Sequence, residues 1–173
     1  MIRKTNMIII AIGSNLAGKW ADTPLKMCLE ATHKISLLPY CYQPKISSLY
    51  KTSPIPASSQ PFYINGIMSF QGNVDPFDLL RKLNQLEAEA GRKRSEPNAA
   101  RALDLDIIAI DNQIIQKTPQ LVVPHPRAHE RGFVLYPLRD LFPDWVHPVY
   151  KKSVSQLIAD LPVDQLIEKV HVD

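Results

Sequence analysis

The chain has 173 residues, of which 45% are hydrophobic and 21% are charged. These fractions are typical of globular proteins and exclude disordered, fibrous and membrane-embedded classes. The net charge of +3 and the pI near 8.8 suit a small anionic ligand, whereas nucleic-acid-binding domains usually have a pI above about 9. We therefore expect a single domain over residues 1–173, with residues 1–6 as a flexible N-terminal extension, and no nucleic-acid partner.

The cysteines and the N-terminus indicate a cytoplasmic protein. Cys28 and Cys41 form neither a Cys-x-x-Cys pair nor a metal-binding pattern with a histidine, so we expect reduced thiols. The apolar run at residues 7–12 is shorter than the roughly 7 to 15 residues of a signal-peptide core. Because no stretch approaches the length of a membrane span, we expect no membrane partner.

The first predicted elements are a strand and a helix. Residues 7–12 are apolar and mostly β-branched, and Gly13 stops the run, so a buried strand leaves the sheet there through a turn that is a candidate ligand edge. Apolar residues then recur at helical spacing from Thr23, a suitable N-cap, with Pro24 at the first helical position. We expect this helix to end before Pro39.

The middle of the chain predicts two strands and a second helix. Residues 46–50 alternate as a strand, and the prolines within residues 51–56 force an irregular loop. Residues 62–70 form the next strand. Asp75-Pro76 begins a helix whose apolar face recurs at three- and four-residue steps until Gly91 ends it.

The last third predicts a hairpin, a loop and a final helix. Residues 101–110 form a strand, and residues 113–115 return beside it as a hairpin partner. Residues 119–131 form a proline-punctuated loop, and residues 153–161 form a terminal helix. Strands mixed with helices in this way predict an α+β domain, with a mostly antiparallel sheet covered by helices.

Two carboxylates stand two residues apart on the predicted strand 101–110. Asp104 and Asp106 therefore point to one face, while Leu103, Leu105 and Ile107 point to the other. Paired carboxylates suit Mg²⁺, which is usually shared with substrate phosphates. The alternative is a solvated strand face with the aspartates paired to lysines or arginines, although aspartate is depleted in strands.

Arginines cluster in the segment before this strand. Arg92, Arg94 and Arg101 lie in or beside the segment 91–102, and guanidinium groups match phosphate oxygens. A loop rich in arginine beside a metal-binding strand is what phosphoryl transfer requires. The alternative is a helix C-terminus enriched in cations that complement the helix dipole.

Other candidate ligand residues follow the same logic. His125, held between two prolines with Arg131 close behind, can donate to a phosphate, or it can simply cap a backbone carbonyl. Tyr63, Phe133 and Asn65 can bracket a flat heterocycle and bind its polar edge, although core packing also accounts for each aromatic residue alone.

Several ordered blocks together resemble the 6-hydroxymethyl-7,8-dihydropterin pyrophosphokinase family. They are AIGSNL at 11–16, SSLYKT at 47–52, QPFYIN at 60–65, GR at 91–92, RALDLDI at 101–107, PHP at 124–126 and RGFVL at 131–135. The resemblance implies a ferredoxin-like αβα monomer that transfers diphosphate from ATP to the dihydropterin alcohol in folate biosynthesis.

The resemblance also implies roles for individual residues. Asp104 and Asp106 would coordinate two Mg²⁺ ions, with Arg92 and Arg101 as catalytic arginines. The ATP-binding residues would be Glu87, Arg92, Arg94, Arg101, Ile107, His125 and Arg131. The pterin-binding residues would be Gly13, Thr52, Ile55, Tyr63, Asn65 and Phe133.

The chain departs from the family pattern in the arginine loop. The loop at residues 96–100 is shorter than the corresponding loop of the best-known family members and lacks its tryptophan. Gln120 stands where those members often have an arginine. Two other functions remain open from the residues: an RNA-binding or regulatory domain that uses the basic loop, and a metal-dependent phosphohydrolase that needs no pterin.

Overall fold

The computed structural model describes residues 5–93 and 96–172. In chain order the first elements are β1 (Asn6–Ser14), α1 (Pro24–Ser36), β2 (Tyr42–Ile46), β3 (Tyr50–Thr52), β4 (Tyr63–Gly72) and α2 (Pro76–Glu89). They are followed by β5 (Asp104–Ile110), β6 (Ile115–Lys117), β7 (Leu121–Val123), a 3-10 turn (Ala128–Glu130), α3 (Gly132–Leu141), α4 (Val154–Ala159) and β8 (Ile167–Lys169). Asn6, predicted to be in the N-terminal extension, begins β1, and residues 1–4 lie outside the described part.

The main sheet has the strand order β5-β1-β4-β3-β8, and β2 pairs with a different part of β4. All of its pairings are antiparallel. Helices α1 and α2 each connect two strands of this sheet, which gives a repeated β-α-β pattern with β4 at the centre and β1 between β4 and β5. The prediction of an α+β, ferredoxin-like architecture is confirmed.

Helices cover both faces of the sheet, so the layers are helix, sheet, helix. On one face, α1 and α2 pack on alternate residues of β1, namely Ile8, Ile10 and Ile12. On the other face, α3 and α4 pack on a second cluster that includes Ile9 and Ile67. The middle strands are therefore buried on both faces, which explains the continuous apolar run of β1.

The first two helices begin and end as their local sequence predicts. The Thr23 hydroxyl accepts from the Lys26 N–H at 3.3 Å, and Asp75 Oδ1 accepts from the Phe77 and Asp78 N–H groups. Such caps typically contribute about 1 kcal/mol each. Gly91 follows α2 with φ of +99°, a conformation that favours glycine.

Two strand predictions were wrong. The predicted strand at residues 46–50 is divided between β2 and β3, because the Ser47 hydroxyl accepts from the Ile67 N–H at 2.9 Å and donates to Ser48 O. Residues 113–115 do not return beside β5. Instead β6 pairs with β7 in a separate two-stranded sheet, and β7 lies inside residues 119–131, which were predicted to be loop.

The C-terminal region holds two elements that the sequence did not predict. Helix α3 begins at Gly132 and contains Pro137, two residue types that usually indicate a loop. The helix predicted over residues 153–161 forms as α4, with a capping box at Ser153, but it is not terminal because β8 follows and pairs with β3. Within residues 5–93 and 96–172, no helix is long and apolar enough to cross a membrane.

Candidate active site

The centre of the site is built by strand register. Gly13, near the end of β1, is paired with Asn65 on β4 and with Asp104 on β5. Directly paired residues on neighbouring strands share a face, so Asn65 and Asp104 project on the same side of the sheet, and Asp106 follows two residues along. A Cβ atom at Gly13 would lie 2.7 Å from Asn65 Oδ1, which explains why glycine occupies this position.

A cavity of about 250 Å³ opens above this face, where the loop between β3 and β4 (residues 53–62, the proline loop) meets the start of α3. Its walls contain most of the side chains that the sequence predicted to bind ligands. The predicted lining residues that it brings together are Thr52, Ile55, Tyr63, Asn65, Arg101, Asp104, Asp106, His125, Arg131 and Phe133.

One end of the cavity suits a flat molecule with a polar edge. Asn65 is 6% exposed, and its Nδ2 donates to Thr52 Oγ1 at 2.7 Å, which fixes the direction of the amide. Tyr63 and Phe133 supply rings beside it. Rings and a fixed amide that line the same cavity can bind a heterocycle by its faces and by its hydrogen-bonding edge.

The other end concentrates charge around Asp104. Its Oδ1 accepts from Arg101 Nη1 at 2.7 Å and from Arg92 Nη1 at 3.2 Å. Arg92 Nη1 also lies 2.5 Å from Glu87 Oε2. Carboxylates thus hold both guanidinium groups beside Asp104, with Arg101 in the wall of this cavity, and both groups can bind an anionic ligand.

Asp104 and Asp106 share the polar face, as the sequence predicted. Burial, and then the negative charge of Asp104, raise the pKa of Asp106. Among the described residues, no three His, Cys, Asp or Glu side chains form a complete metal-binding group. The two neighbouring carboxylates still fit Mg²⁺, because this ion commonly takes its remaining ligands from water and phosphate oxygens.

His125 and Arg131 line the same cavity as the two carboxylates. His125 Nδ1 accepts from the Arg127 N–H at 3.1 Å, so the proton of the neutral ring is on Nε2, which lies 3.9 Å from Asp106 Oδ2. Burial, and then the charge of Arg131, lower the pKa of His125 to about 4. The buried Nε of Arg131 has no hydrogen-bond partner within the described part of the chain. Both side chains therefore offer N–H donors to an anion.

Glu87 does not line the first cavity, but its carboxylate contacts both the backbone of β5 and Arg92. It is 5% exposed, and its Oε1 accepts from the Leu105 N–H, between the two aspartates, at 2.7 Å. Burial raises its pKa, opposed by the Leu105 N–H and by Arg92. Together with Arg92 and Arg101 it lines a second cavity of about 330 Å³ beside the first.

The remaining predicted residues lie elsewhere. Ile107 is 4% exposed and belongs to the core under α1 and α2, on the face opposite to the aspartates. Its contact with a nucleotide stays a prediction. Arg94 lies outside the described residues. Gln120 is exposed in the turn between β6 and β7 and is not among the residues that line either cavity.

Five residues that line the first cavity were missed as ligand candidates, namely Ser53, Pro54, Pro56, Gln60 and Asn98. Gln60, at the end of the proline loop, and Asn98, in the shortened arginine loop, both line it, and Gln60 Nε2 donates to Asn98 O at 2.6 Å. Gln60 begins the block QPFYIN at 60–65, one of the blocks that resemble the family, and this position could have indicated a ligand role. Asn98 adopts a φ of +60°, for which asparagine is a suitable residue.

The comparisons with known proteins agree with the resemblance. The family model of 7,8-dihydro-6-hydroxymethylpterin-pyrophosphokinase (HPPK) matches residues 9–143. The chain is 38% identical to the 2-amino-4-hydroxy-6-hydroxymethyldihydropteridine pyrophosphokinase of Pseudomonas aeruginosa, over 91% of this chain and 93% of that protein. It is 37% identical to the protein of the same name from Haemophilus influenzae, over 88% of each.

The solved structures support the fold. A crystal structure of Plasmodium falciparum HPPK-DHPS has a TM-score of 0.69 at 15% identity, over 90% of this chain and 44% of that one. The family match covers the strands and loops that build the cavity, from β1 to α3. The chain therefore belongs to the 7,8-dihydro-6-hydroxymethylpterin-pyrophosphokinase family.

Proposed function

We propose that the chain transfers the terminal diphosphate of ATP to 6-hydroxymethyl-7,8-dihydropterin, giving the pterin diphosphate and AMP in folate biosynthesis. One observation carries the proposal: a pocket for a flat, polar-edged ring opens directly onto two carboxylates that are flanked by four cationic or N–H donor side chains. These four are Arg92, Arg101, His125 and Arg131.

The pterin occupies the end of the cavity near Asn65. The amide of Asn65, fixed by Thr52, hydrogen-bonds the polar edge of the ring, and Tyr63 and Phe133 pack against its faces. Ile55 in the proline loop adds an apolar contact. This arrangement directs the hydroxymethyl group towards Asp104 and Asp106, because Asn65 and Asp104 flank the same residue of β1.

The triphosphate of ATP occupies the charged end. Asp104 and Asp106 would hold two Mg²⁺ ions, which neutralise charge on the phosphate chain when bound. Arg131 Nε and His125 Nε2 donate to phosphate oxygens from one side, and Arg92 and Arg101 do so from the other. Arg94 would add a further cation. Glu87 acts indirectly, since it holds Arg92.

The residues position the reactants and balance charge during the reaction. The hydroxymethyl oxygen forms a bond to the β-phosphorus while the bond from that phosphorus to the α,β-bridging oxygen breaks. The bonding electron pair leaves with AMP, and the hydroxyl proton passes to water. Arg92 and Arg101 stabilise the charge that develops on the transferred group. Alignment of the two substrates in one cavity supplies the rest of the acceleration.

Product analysis tests this function. Purified protein is mixed with ATP, Mg²⁺ and 6-hydroxymethyl-7,8-dihydropterin, and the nucleotides and pterins are separated by chromatography. AMP and pterin diphosphate in equal amounts support the proposal. ADP, or free phosphate released without pterin, indicates a simple kinase or a phosphohydrolase.

We propose further that the chain acts as a monomer in the cytoplasm. The family resemblance implies a monomer, and Cys28 and Cys41 are unpaired thiols, as is usual in a reducing compartment. Light scattering coupled to size exclusion checks the first point, because a monomer has the mass of 19.6 kDa.

A further inference from the structure

Gln165, in the segment between α4 and β8, holds the backbone on both sides of Arg131. Its Oε1 accepts from the Gly132 N–H at 2.9 Å, and its Nε2 donates to Glu130 O at 3.3 Å. The N–H group belongs to the peptide that follows Arg131, and the carbonyl belongs to the peptide that precedes it. Because peptide groups are planar, one side-chain amide restrains both backbone dihedrals of Arg131.

Helix α3 needs this contact because its N-terminus has no local cap. The N-cap residue is Arg131, whose side chain makes no capping hydrogen bond, and a guanidinium group has no acceptor atom to offer. The first N–H groups of a helix have no partner within the helix. Gln165 accepts from the first of them, that of Gly132, from 33 residues further along the chain. The start of α3 therefore depends on the C-terminal segment.

The C-terminal segment is itself anchored to the main sheet and packs closely on the start of α3. A Cβ atom at Gly132 would lie 2.7 Å from Gln165 Oε1 and closer still to Ile167 Cδ1. Ile167 begins β8, which pairs with β3, and the Leu166 carbonyl accepts from the Ser53 N–H at 3.4 Å. The amide of Gln165 is thus carried by the edge of the sheet, and it ties the start of α3 to that edge.

Arg131 is the site residue that gains most from this restraint. Its guanidinium group lines the cavity, and its buried Nε has no hydrogen-bond partner within the described part of the chain. The guanidinium carbon lies 5.4 Å from the centre of the Phe133 ring. By contrast, Arg92 and Arg101 are each held by an ion pair with Asp104. The direction of the Arg131 side chain therefore depends strongly on its backbone.

We propose that Gln165 is a positioning residue, which fixes the backbone of Arg131 and so directs its guanidinium group at the phosphate chain of ATP. This inference rests on the proposed function, in which Arg131 donates to the phosphates. Gln165 does not line the cavity, and it lies beyond residues 9–143, which the family model matches. The C-terminal segment thus contributes to nucleotide binding without touching the nucleotide.

Two variants and one control separate positioning from folding. Gln165→Met removes the amide and keeps a side chain of similar length. Gln165→Glu keeps the acceptor for the Gly132 N–H and loses only the donation to Glu130 O, and a carboxylate is favourable at a helix N-terminus. Gln85→Met is the matched control, because this exposed amide on α2 likewise accepts one hydrogen bond and donates one.

The dissociation constant of α,β-methylene-ATP with Mg²⁺ is measured by calorimetry for each protein. Gln165→Met should weaken nucleotide binding by about tenfold and Gln165→Glu by about threefold, since each lost hydrogen bond loosens the backbone of Arg131. Gln85→Met should keep the wild-type affinity. The affinity for 6-hydroxymethyl-7,8-dihydropterin, measured with the nucleotide analogue at saturation, should stay within about twofold of the wild type, because Tyr63 and Asn65 are held by β4.

A double-mutant cycle shows whether the effect passes through the guanidinium group. Arg131→Met is compared with the double variant that also carries Gln165→Met. If Gln165 acts through Arg131, the second substitution should change the nucleotide affinity by less than about twofold. Thermal denaturation shows whether each variant is folded.

A folded Gln165→Met variant with the wild-type affinity for the nucleotide overturns the inference. If that variant is unfolded, the wild-type affinity in Gln165→Glu overturns it. A purely structural role for Gln165 would weaken both ligands equally, or would persist in the Arg131→Met background, and either result also contradicts the inference. Failure of the proposed function is distinguishable, because it appears in the wild type as the absence of AMP and pterin diphosphate.

Discussion

Asn65 and Asp104 are paired with the same residue, Gly13, from opposite sides of β1. Since neighbouring strands lie about 4.8 Å apart, the amide that we propose to bind the pterin and the first carboxylate are separated by about 10 Å of hydrogen-bonded sheet. This spacing is set by the most rigid part of the fold. The loops that carry Ile55 and Arg101 then complete the cavity around it.

Replacing Asp106 by alanine should remove the activity and leave the fold intact. The side chain lies on the cavity, and its loss relieves repulsion with Asp104, so the melting temperature should not fall. Turnover should drop by about 10²–10³-fold or more, as for other groups that stabilise charge in a transition state. The control is Asp144→Ala, at an exposed position outside the site. Full activity in Asp106→Ala would remove the basis for the metal assignment.

Gly13→Ala should weaken pterin binding selectively. The added Cβ would lie 2.7 Å from Asn65 Oδ1, and Asn65 cannot move freely because its Nδ2 is bonded to Thr52. Overpacking of this kind typically costs about 1–3 kcal/mol, so we expect the affinity for the pterin to fall by about tenfold or more. Calorimetry with each ligand separately checks this result. An equal loss of affinity for ATP would contradict the selective effect.

Glu87→Gln should lower turnover by disturbing Arg92. The amide oxygen can still accept from the Leu105 N–H, but the amide NH₂ group would face Arg92 Nη1, which now lies 2.5 Å from a carboxylate oxygen. We expect a loss of about 1–3 kcal/mol in the free energy of unfolding and a fall of about tenfold in kcat. Glu89→Gln, on the exposed side of the same helix, is the control. Unchanged kcat would show that Arg92 does not depend on Glu87.

His147 should make the protein sensitive to acid. It is 2% exposed, and its Nδ1 accepts from the Val149 and Tyr150 N–H groups. Burial, and then the charge of His129, lower its pKa to about 4. The folded state therefore keeps His147 neutral while the unfolded state binds a proton below pH 6.5, its ordinary pKa. The stability that His147 contributes is complete above pH 6.5 and is lost as the pH falls towards 4.

The variant His147→Asn isolates this effect, because the asparagine oxygen can accept from the same backbone groups but does not titrate. Urea denaturation at pH 7, 6 and 5 gives the free energy of unfolding of both proteins. As the pH falls, it should decrease more steeply in the wild type than in His147→Asn, and the difference in slope should be at most about 1.4 kcal/mol per pH unit. Parallel pH dependences in the two proteins would mean that His147 is protonated in the folded state.

The parts of the fold that were predicted correctly are those that local sequence determines. Thr23 and Asp75 cap their helices with their own side chains, Gly91 ends α2, and the alternation around Asp104 and Asp106 places both carboxylates on one face. Each of these features depends on residues within a few positions of one another, so a single sequence contains the information.

The features that were missed depend on distant contacts. Ser47 interrupts the predicted strand because it accepts from Ile67, which lies on another strand. Helix α3 forms despite Pro137 because its apolar face packs on the sheet. Asn15 looked like a turn residue, and its links to Gln60 and Arg101 appear only when three loops are folded together. Sequence blocks therefore identified most cavity residues but not the contacts that hold them in place.

The most direct test of the central claim follows the phosphorus atoms of ATP. The wild-type protein is incubated with 6-hydroxymethyl-7,8-dihydropterin, Mg²⁺ and ATP labelled in separate experiments at the α-, β- or γ-phosphorus, and the products are separated. Transfer of diphosphate predicts that the β and γ labels both appear in the pterin product and that the α label stays in AMP. A β label recovered in ADP, or a γ label recovered as free phosphate, would contradict diphosphate transfer.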